Sequence, residues 1–324
     1  MIMEQTGTLK TPSHKNHSRD SVCPHEAQQR RERLAEKKRR MKIMRRVRLV
    51  KLALLCAAGL MLVRFGRDLA EDLRGANPEN INTQASGLTP GKTMLDKETE
   101  EKLFALTQGR PDIAELYLER DAYPPELLKA LTLNQEMLGF VKGWPDSDGS
   151  VTGGFTDAEL SAAHPLFIQW DERWGYYPYG DSNLGLAGCG PVCLSMVIFS
   201  LTGNESATPD KLADYSMKNR HYVSGAGTAW SLMTAAPAAY GVLAKQMELN
   251  ESVMKRCLDQ GGMIICAMRP GDFTTTGHFI VIHSYDENGF LVNDPNSRER
   301  SGKTWSFSKL KSQIKNLWGF SSAA

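Results

Sequence analysis

The pattern of apolar and polar positions divides the chain into a helical segment and a later region where helices alternate with strands. From residue 94 to about residue 142, apolar side chains recur at helical spacing, and Pro124 and Pro125 mark the beginning of one helix. Continuous apolar runs at 263–268, 278–283 and 290–294 predict buried strands. The last two strands are joined by the turn DENG, which is typical of a β-hairpin.

The most apolar helix is predicted within GLAGCGPVCLSMVIFSLTG, from a start near Cys189 to a stop at Gly203. Three further helix N-caps are expected at Thr208, Thr228 and Asn250. The helix after Asn250 should end at Gly261. Together these elements predict an α+β domain, in which a helix with a cysteine in its first turn packs on an antiparallel sheet that carries a histidine and an aspartate.

Charge separates the first 51 residues from the rest of the chain. Of 324 residues, 41% are hydrophobic and six are cysteines, which excludes a wholly disordered chain and a disulfide-dense small scaffold. Residues 1–51 contain 15 Lys and Arg but five Asp and Glu, a net charge of +10; since the whole chain carries +2, residues 52–324 carry −8. No aromatic residues are interleaved with the basic ones, so nucleic-acid binding is not expected.

An apolar segment, LALLCAAGLMLV, follows the basic run directly. It is short for a membrane span, but residues 47–65 nearly suffice when the flanking Arg and Lys side chains extend to the headgroups. The sequence predicts an uncleaved signal-anchor at residues 49–65 and a single-pass protein of the cell membrane, with its basic N-terminus in the cytoplasm and the later residues outside. A cleaved signal peptide, and hence secretion, is the alternative.

Composition sets the other domain boundaries. We expect a disordered basic tail at residues 1–48, a linker rich in Asn, Gly, Pro and Ser at 66–92, a helical stem at 93–163, and a domain that carries the chemistry at 164–324. The short helices of the stem hold no cluster of chemically active side chains. The stem is therefore interpreted as a support for the domain that follows.

Cys189 is the first candidate for catalysis. At a helix N-terminus the dipole and the free N–H groups stabilise a thiolate, which is the nucleophilic form of cysteine. Gly188 and Gly190 leave room for a substrate carbonyl, and the backbone N–H of Cys189 can help to bind an oxyanion. The alternative is that Cys189 is a small buried apolar residue.

His278 and Asp294 complete a Cys-His-Asp triad. A cysteine nucleophile needs an imidazole as its base and a carboxylate or amide to orient the ring, and adjacent strands of one hairpin can supply both. A bulge near Asn288 and Gly289 would decide which face of the sheet Asp294 occupies. His283 lies five residues after His278, on the opposite face of a regular strand, and is assigned a structural role.

Gln169 is the candidate oxyanion donor, because a side-chain amide can complete an oxyanion hole beside the N–H of the nucleophile. It lies in FIQWDERWGYYPYG, whose Trp and Tyr residues are expected to pack on the core rather than to line a substrate cleft.

These residues resemble those of a known family. The order Gln169, Cys189 within GCGP, His278 within GHF and Asp294 within NDP is similar to that of papain-like cysteine peptidases of the double-glycine, bacteriocin-processing type, and closer still to the stand-alone C39-like domains of Gram-positive cell surfaces. The resemblance covers residues 165–320. It implies a papain-like fold with Cys189 as nucleophile, His278 as general base and acid, Asp294 as the group that orients the histidine, and Gln169 as oxyanion donor.

The chain departs from the transporter-fused members of that family in two ways. Those peptidases have a glutamine a few residues before the cysteine, whereas Asn183 stands six residues before Cys189 and Gln169 stands twenty before it. The sequence also contains no Walker motif, so specificity for double-glycine leaders does not follow from the resemblance.

Other functions remain open at the level of sequence. CGPVC is close to the CGPC of thiol-disulfide oxidoreductases but contains one residue more, and a peptidoglycan-directed amidase or endopeptidase or a catalytically silent surface module would also fit the cell-surface setting. We expect a membrane-anchored, extracytoplasmic cysteine peptidase that acts on a peptide or protein substrate. No metal or organic cofactor is implied, and the oligomeric state is not predicted.

Overall fold

The computed structural model describes residues 95–323. The predicted tail at 1–48, signal-anchor at 49–65 and linker at 66–92 lie outside these residues. Among residues 95–323, none of the helices has the length and apolarity that a membrane span requires.

Short helices build the segment predicted as a stem. They are α1 (Lys97–Leu106), α2 (Pro111–Leu118), α3 (Pro125–Leu133), α4 (Leu138–Gly143) and α5 (Asp157–Ser161). Helix α1 is capped by Asp96, and α2 and α3 each begin at a proline, whose fixed φ suits the first helical position. The prediction of a helix start at Pro124–Pro125 is thereby confirmed.

The apolar faces of these helices form a core that continues into the second half of the chain. Leu103, Leu127 and Phe140 are buried in it together with Ile168 and Trp170. Burial of one large apolar side chain contributes about 1.5–3 kcal/mol. The stem helices are therefore packed firmly against residues 166–176.

Five helices lie between residue 184 and residue 259. They are α6 (Leu184–Ala187), α7 (Cys189–Thr202), α8 (Pro209–Lys218), α9 (Leu232–Ala235) and α10 (Glu251–Asp259). Helix α7 matches its prediction at both ends, and Gly203 ends it with a left-handed φ of 66°. Residues 190–199 of α7 are all buried, so this helix lies inside the domain.

The predicted N-caps at Thr208 and Asn250 are confirmed, but the one at Thr228 is wrong. Thr228 ends a short strand, and α9 begins later, after Ser231. The hydroxyl of Thr228 is hydrogen-bonded instead to the hydroxyl of Tyr179 at 2.8 Å. A threonine followed by small and apolar residues resembles a helix start in sequence, but the side chain of Thr228 forms a tertiary hydrogen bond instead.

The main sheet contains six antiparallel strands in the order β5-β10-β6-β7-β8-β9. These strands are β5 (Val242–Gln246), β6 (Met263–Met268), β7 (His278–Asp286), β8 (Gly289–Asn293), β9 (Thr304–Trp305) and β10 (Ile314–Ser322). Strand β6 has its predicted bounds and β7 continues three residues beyond them. Two small hairpins lie apart from this sheet, with strands β1 (Pro178–Tyr179), β2 (Ser182–Asn183), β3 (Tyr222–Val223) and β4 (Gly227–Thr228). The α+β class with an antiparallel sheet is thereby confirmed.

Side chains of the main sheet enter two separate apolar cores. Ile265 and Val281 pack with α7, whereas Ile264 and Ile280 pack with Met254 of α10. Alternate residues of β6 and β7 thus serve opposite faces, as the two-residue period of a strand requires. The bulge in the β7–β8 hairpin lies between Ile282 and Ser284, not near Asn288 and Gly289.

Two short helices follow β8, namely α11 (Arg298–Ser301) and α12 (Phe307–Lys311). The segment between β8 and the end of α11, residues 294–301, is called the acid loop below because it begins with Asp294. This loop, the N-terminus of α7 and the beginning of β7 hold the candidate catalytic residues.

Candidate active site

Cys189 is the first residue of α7 and is half-buried. The helix has no side-chain N-cap, so the N–H groups of Cys189 and Gly190 belong to a first turn that offers them no intrahelical acceptor. A Cβ on Gly190 would lie 2.6 Å from the Thr228 side chain, so only glycine fits there. The close packing of Thr228 fixes the turn that presents the sulfur.

His278 links the thiol to the aspartate. Its Nε2 lies 2.7 Å from Oδ1 of Asp294, and the Cys189 side chain interacts electrostatically with its ring. Since Nε2 faces the carboxylate, Nδ1 is the nitrogen left for the sulfur. His278 is 8% exposed and Asp294 is fully buried, so water competes little for these contacts. The structure therefore brings together Cys189, His278 and Asp294 from three separate elements.

Electrostatics favour a protonated imidazole beside an ionised carboxylate. Burial lowers the pKa of His278, but the charge and hydrogen bond of Asp294, together with the Cys189 side chain, raise it further, so that the pKa lies well above its usual value. Burial raises the pKa of Asp294, but His278 and Arg300 lower it by more, so that its pKa falls below 3.8. A neighbouring thiolate would be stabilised by such an imidazolium.

Arg300 is a partner of Asp294 that sequence reasoning missed. Its Nε donates a hydrogen bond to Oδ2 of Asp294 at 2.5 Å, while the backbone N–H of Asn296 donates to Oδ1 at 2.8 Å. The buried carboxylate is thus contacted on both oxygens. NDPNSRER carried no signal that would distinguish this arginine from Arg298, because only the turn of α11 directs Arg300 back toward Asp294.

Gln169 is buried at the edge of the same region, with 4% of its surface exposed. Its Nε2 donates to the carbonyl of Gly185 at 2.8 Å, and its backbone N–H donates to the carbonyl of Pro295 at 2.7 Å. The side-chain Oε1 is buried and has no hydrogen-bond partner. Gln169 therefore joins the acid loop to the turn before α7, and one of its amide hydrogens is already used there.

His283 lies apart from these residues. Its ring is 5.1 Å from the ring of His164, and its Nδ1 is 2.9 Å from the Ser284 hydroxyl. Burial, and after it the nearby His164, lower the pKa of His283 to about 4. These contacts agree with the structural role that its position predicts.

The other cysteines of the described segment are unlike Cys189. Cys193 and Cys266 are fully buried, Cys257 is half-buried, and all three are free thiols. Burial raises the pKa of each of them. Within residues 95–323, no group of three or more His, Cys, Asp or Glu side chains could hold a metal ion.

The aromatic residues around Gln169 serve the core, as predicted. Trp170, Trp174, Tyr176 and Tyr179 are all buried, and Tyr177 is half-buried and packs against the core. The indole of Trp174 donates to the carbonyl of Ile168 at 2.9 Å. These rings hold the Gln169 segment in place beneath the site.

Similar proteins are found among solved structures. No curated protein matches the chain. The chain is similar to the solved peptidase domain of Streptococcus ComA, a bi-functional ABC transporter involved in a quorum-sensing pathway, with 17% identity, coverage of 42% of this chain and 92% of that chain, and a TM-score of 0.33. It is also similar to a solved protein described as a C39-like peptidase, from Bacillus anthracis, with 15% identity, coverage of 48% of this chain and 94% of that chain, and a TM-score of 0.30.

A model of the Peptidase_C39 like family matches residues 163–322, which include Cys189, His278 and Asp294. The part of the chain that holds these three residues is therefore similar to the Peptidase_C39 like family.

Proposed function

We propose that this protein is a cysteine peptidase in which Cys189 is the nucleophile, His278 the general base and acid, and Asp294 the residue that orients His278. The observation that carries the proposal is the position of the His278 imidazole, which is bonded to the buried carboxylate of Asp294 and interacts electrostatically with the half-buried thiol of Cys189. The similarity of residues 163–322 to the Peptidase_C39 like family supports it.

The reaction has two stages. The Cys189 thiolate attacks the carbonyl carbon of a peptide bond and forms a C–S bond; the protonated His278 then gives its proton to the nitrogen, and the C–N bond breaks. In the second stage His278 takes a proton from water, whose oxygen attacks the thioester. The C–S bond breaks, the carboxylic acid product leaves, and the pair of Cys189 thiolate and protonated His278 is restored.

Oxyanion stabilisation is assigned to the first turn of α7. The N–H groups of Cys189 and Gly190, which have no acceptor within the helix, are proposed to donate to the carbonyl oxygen of the substrate as it gains negative charge. The second amide hydrogen of Gln169 is proposed to assist. Because its Nε2 already donates to Gly185, Gln169 also acts by holding this turn in place.

The thiol-disulfide alternative requires Cys193 as a second reactive thiol. Cys193 is fully buried, and burial, with the nearby negative charges of Cys189 and Asp294, raises its pKa well above 9.0. A thiol in that state is a poor partner for exchange. The hydrolytic function is therefore favoured over redox chemistry.

The cellular location proposed from the sequence is the membrane, through residues 49–65, with the peptidase domain outside the cytoplasm. The support is the basic run followed by LALLCAAGLMLV. The full chain should sediment with membranes and resist extraction at high pH, whereas a chain that lacks residues 49–65 should be released. Recovery of the full chain in the soluble fraction would contradict this location.

The catalytic assignment is tested by alkylation with iodoacetamide at neutral pH, followed by mass spectrometry of each cysteine peptide. Cys189 should react faster than Cys193, Cys257 and Cys266. His278→Ala should abolish this fast reaction, and the matched variant His283→Ala should keep it. Equal labelling of all cysteines, or loss of reaction in the His283 variant alone, would contradict the assignment.

Hydrolysis itself is tested with denatured casein and with purified peptidoglycan. We expect the wild-type protein to release new amino groups from casein and the Cys189→Ala protein to release none. Product from peptidoglycan alone would identify an amidase or endopeptidase of the cell wall. A reactive Cys189 without product from either material would identify a silent module.

A further inference from the structure

The helical stem contacts the acid loop directly, although the two segments are about 160 residues apart in sequence. Glu136 lies in the short turn between α3 and α4. Its Oε1 accepts a hydrogen bond from the Ser297 hydroxyl at 2.5 Å, and its Oε2 accepts one from the backbone N–H of Arg298 at 2.8 Å. Both oxygens of one stem carboxylate are therefore used to hold the loop that begins with Asp294.

A second stem residue contacts the same loop. The side-chain amide of Asn134 donates to the backbone carbonyl of Asn296 at 2.6 Å. The indole of Trp170, which belongs to the stem's apolar core, donates to that same carbonyl at 3.3 Å. The guanidinium of Arg298 lies 4.6 Å from the centre of the Trp170 ring. The loop is thus held at three consecutive residues by the stem and its core.

These contacts lead to the triad through a short path. Ser297, which Glu136 holds, accepts a hydrogen bond from the backbone N–H of Arg300 and so fixes the turn of α11. Arg300 in turn donates to Asp294, which is bonded to His278. Ser297 is buried, so loss of its partner would leave its hydroxyl without water to replace it.

We infer that Glu136 is a positioning residue of the peptidase, through which the stem sets the place of Asp294 and thereby the protonation of His278. This inference rests on the proposed function. The stem is then part of the catalytic apparatus and not only a support. Displacement of an orienting group by about 1 Å can lower a rate by about a hundredfold.

The test compares three variants of the full chain by their rates of Cys189 alkylation with iodoacetamide between pH 5 and pH 9. In Glu136→Ala the loop loosens, the imidazolium is held less well, and a smaller fraction of the thiol is ionised. If the midpoint of the pH profile of alkylation moves up by one pH unit, alkylation of Cys189 at neutral pH becomes about tenfold slower. Glu136→Gln keeps one acceptor oxygen and should fall between Glu136→Ala and wild type.

Glu126→Ala is the matched control, because Glu126 is an exposed carboxylate of α3 in the same stem. It should leave the pH profile of alkylation unchanged. Amide hydrogen exchange gives a second measurement: residues 294–301 should exchange faster in Glu136→Ala, while β6 keeps its protection. A merely structural role would lower the melting temperature without moving the pH profile.

A Glu136→Ala protein that reacts like wild type at every pH would overturn the inference. If Glu136→Ala does not fold, Glu136→Gln carries the same comparison, and a wild-type profile in that variant would have the same meaning. If Cys189 of the wild-type protein itself reacts no faster than the buried cysteines, the proposed function fails first, and the inference fails with it.

Discussion

The contact between Arg300 and Asp294 allows a quantitative prediction. Replacement of Arg300 by methionine keeps most of the length of the side chain but removes the donor from Oδ2 of a fully buried carboxylate. A hydrogen bond to a charged group contributes about 1.5–3 kcal/mol, and breaking a buried ion pair costs about 3–5 kcal/mol. Since the Arg300 side chain is 22% exposed, water can replace part of the contact. We expect Arg300→Met to lower the free energy of unfolding by about 2–3 kcal/mol.

The assay is urea unfolding of the full chain at pH 7, followed by tryptophan fluorescence and by circular dichroism. The melting temperature should fall by about 5–10 °C. Arg256→Met, which changes an exposed arginine of α10, is the control and should change stability by less than about 0.5 kcal/mol. In an Asp294→Asn background the effect of Arg300→Met should fall below about 1 kcal/mol, because the buried negative charge is absent.

If Arg300→Met and Arg256→Met are equally stable, or if the effect of Arg300→Met is the same with Asn at position 294, then Arg300 does not stabilise the carboxylate. The hydrogen bonds from His278 and from the backbone of Asn296 would then suffice to hold Asp294.

Three further predictions concern pH and packing. Burial lowers the pKa of His278, but the neighbouring carboxylate and thiol raise it further, to about 10, so the stability that His278 contributes should be complete below pH 6.5 and be lost as pH rises toward 10. Burial and His164 lower the pKa of His283 to about 4, so unfolding free energy should decrease by about 1–2 kcal/mol as pH falls from 6.5 to 4. Gly190→Ala places a methyl group against Thr228 and should cost about 1–3 kcal/mol and slow alkylation.

Each of these predictions has its own control. The decrease in stability at alkaline pH should be absent from His278→Ala. The decrease in stability at acid pH should be smaller in His283→Gln. An unchanged pH dependence of stability in either variant would contradict the assignment of that effect to the histidine. Gly154→Ala is the control for packing, because a Cβ at Gly154 would meet no atom within 4 Å. Equal stability of the two alanine variants would show that Thr228 moves aside without cost.

Local patterns were sufficient to predict the elements that carry the three candidate residues. The bounds of α7 followed from an apolar run between Gly188 and Gly203, and those of β6 from an apolar run after Gly262. Thr208 and Asn250 gave the caps of α8 and α10. Cys189, His278 and Asp294 were identified because a cysteine nucleophile needs an imidazole as its base and a carboxylate that orients the imidazole ring. The register of the β7–β8 hairpin, on which the position of Asp294 depends, was not predictable, because the bulge lies between Ile282 and Ser284.

Contacts that depend on three-dimensional packing were not visible in the sequence. Thr228 resembled a helix cap, yet it pairs with Tyr179 because the hairpin of β3 and β4 brings the two hydroxyls together. Arg300 and Glu136 are ordinary surface residues by their spacing, and only the turn of α11 makes them neighbours of Asp294 and Ser297. The order of strands in the sheet was also not predictable, because β10 enters between two earlier strands.

The position of β10 has a consequence for biosynthesis. Strand β10 pairs with β5 on one side and with β6 on the other, so residues 314–322 must leave the ribosome before β5 can join the sheet. Until then Cys189 and His278 are already part of the nascent chain, but the six-stranded sheet is incomplete. The six-stranded sheet is therefore completed only after residues 314–322 have been synthesised.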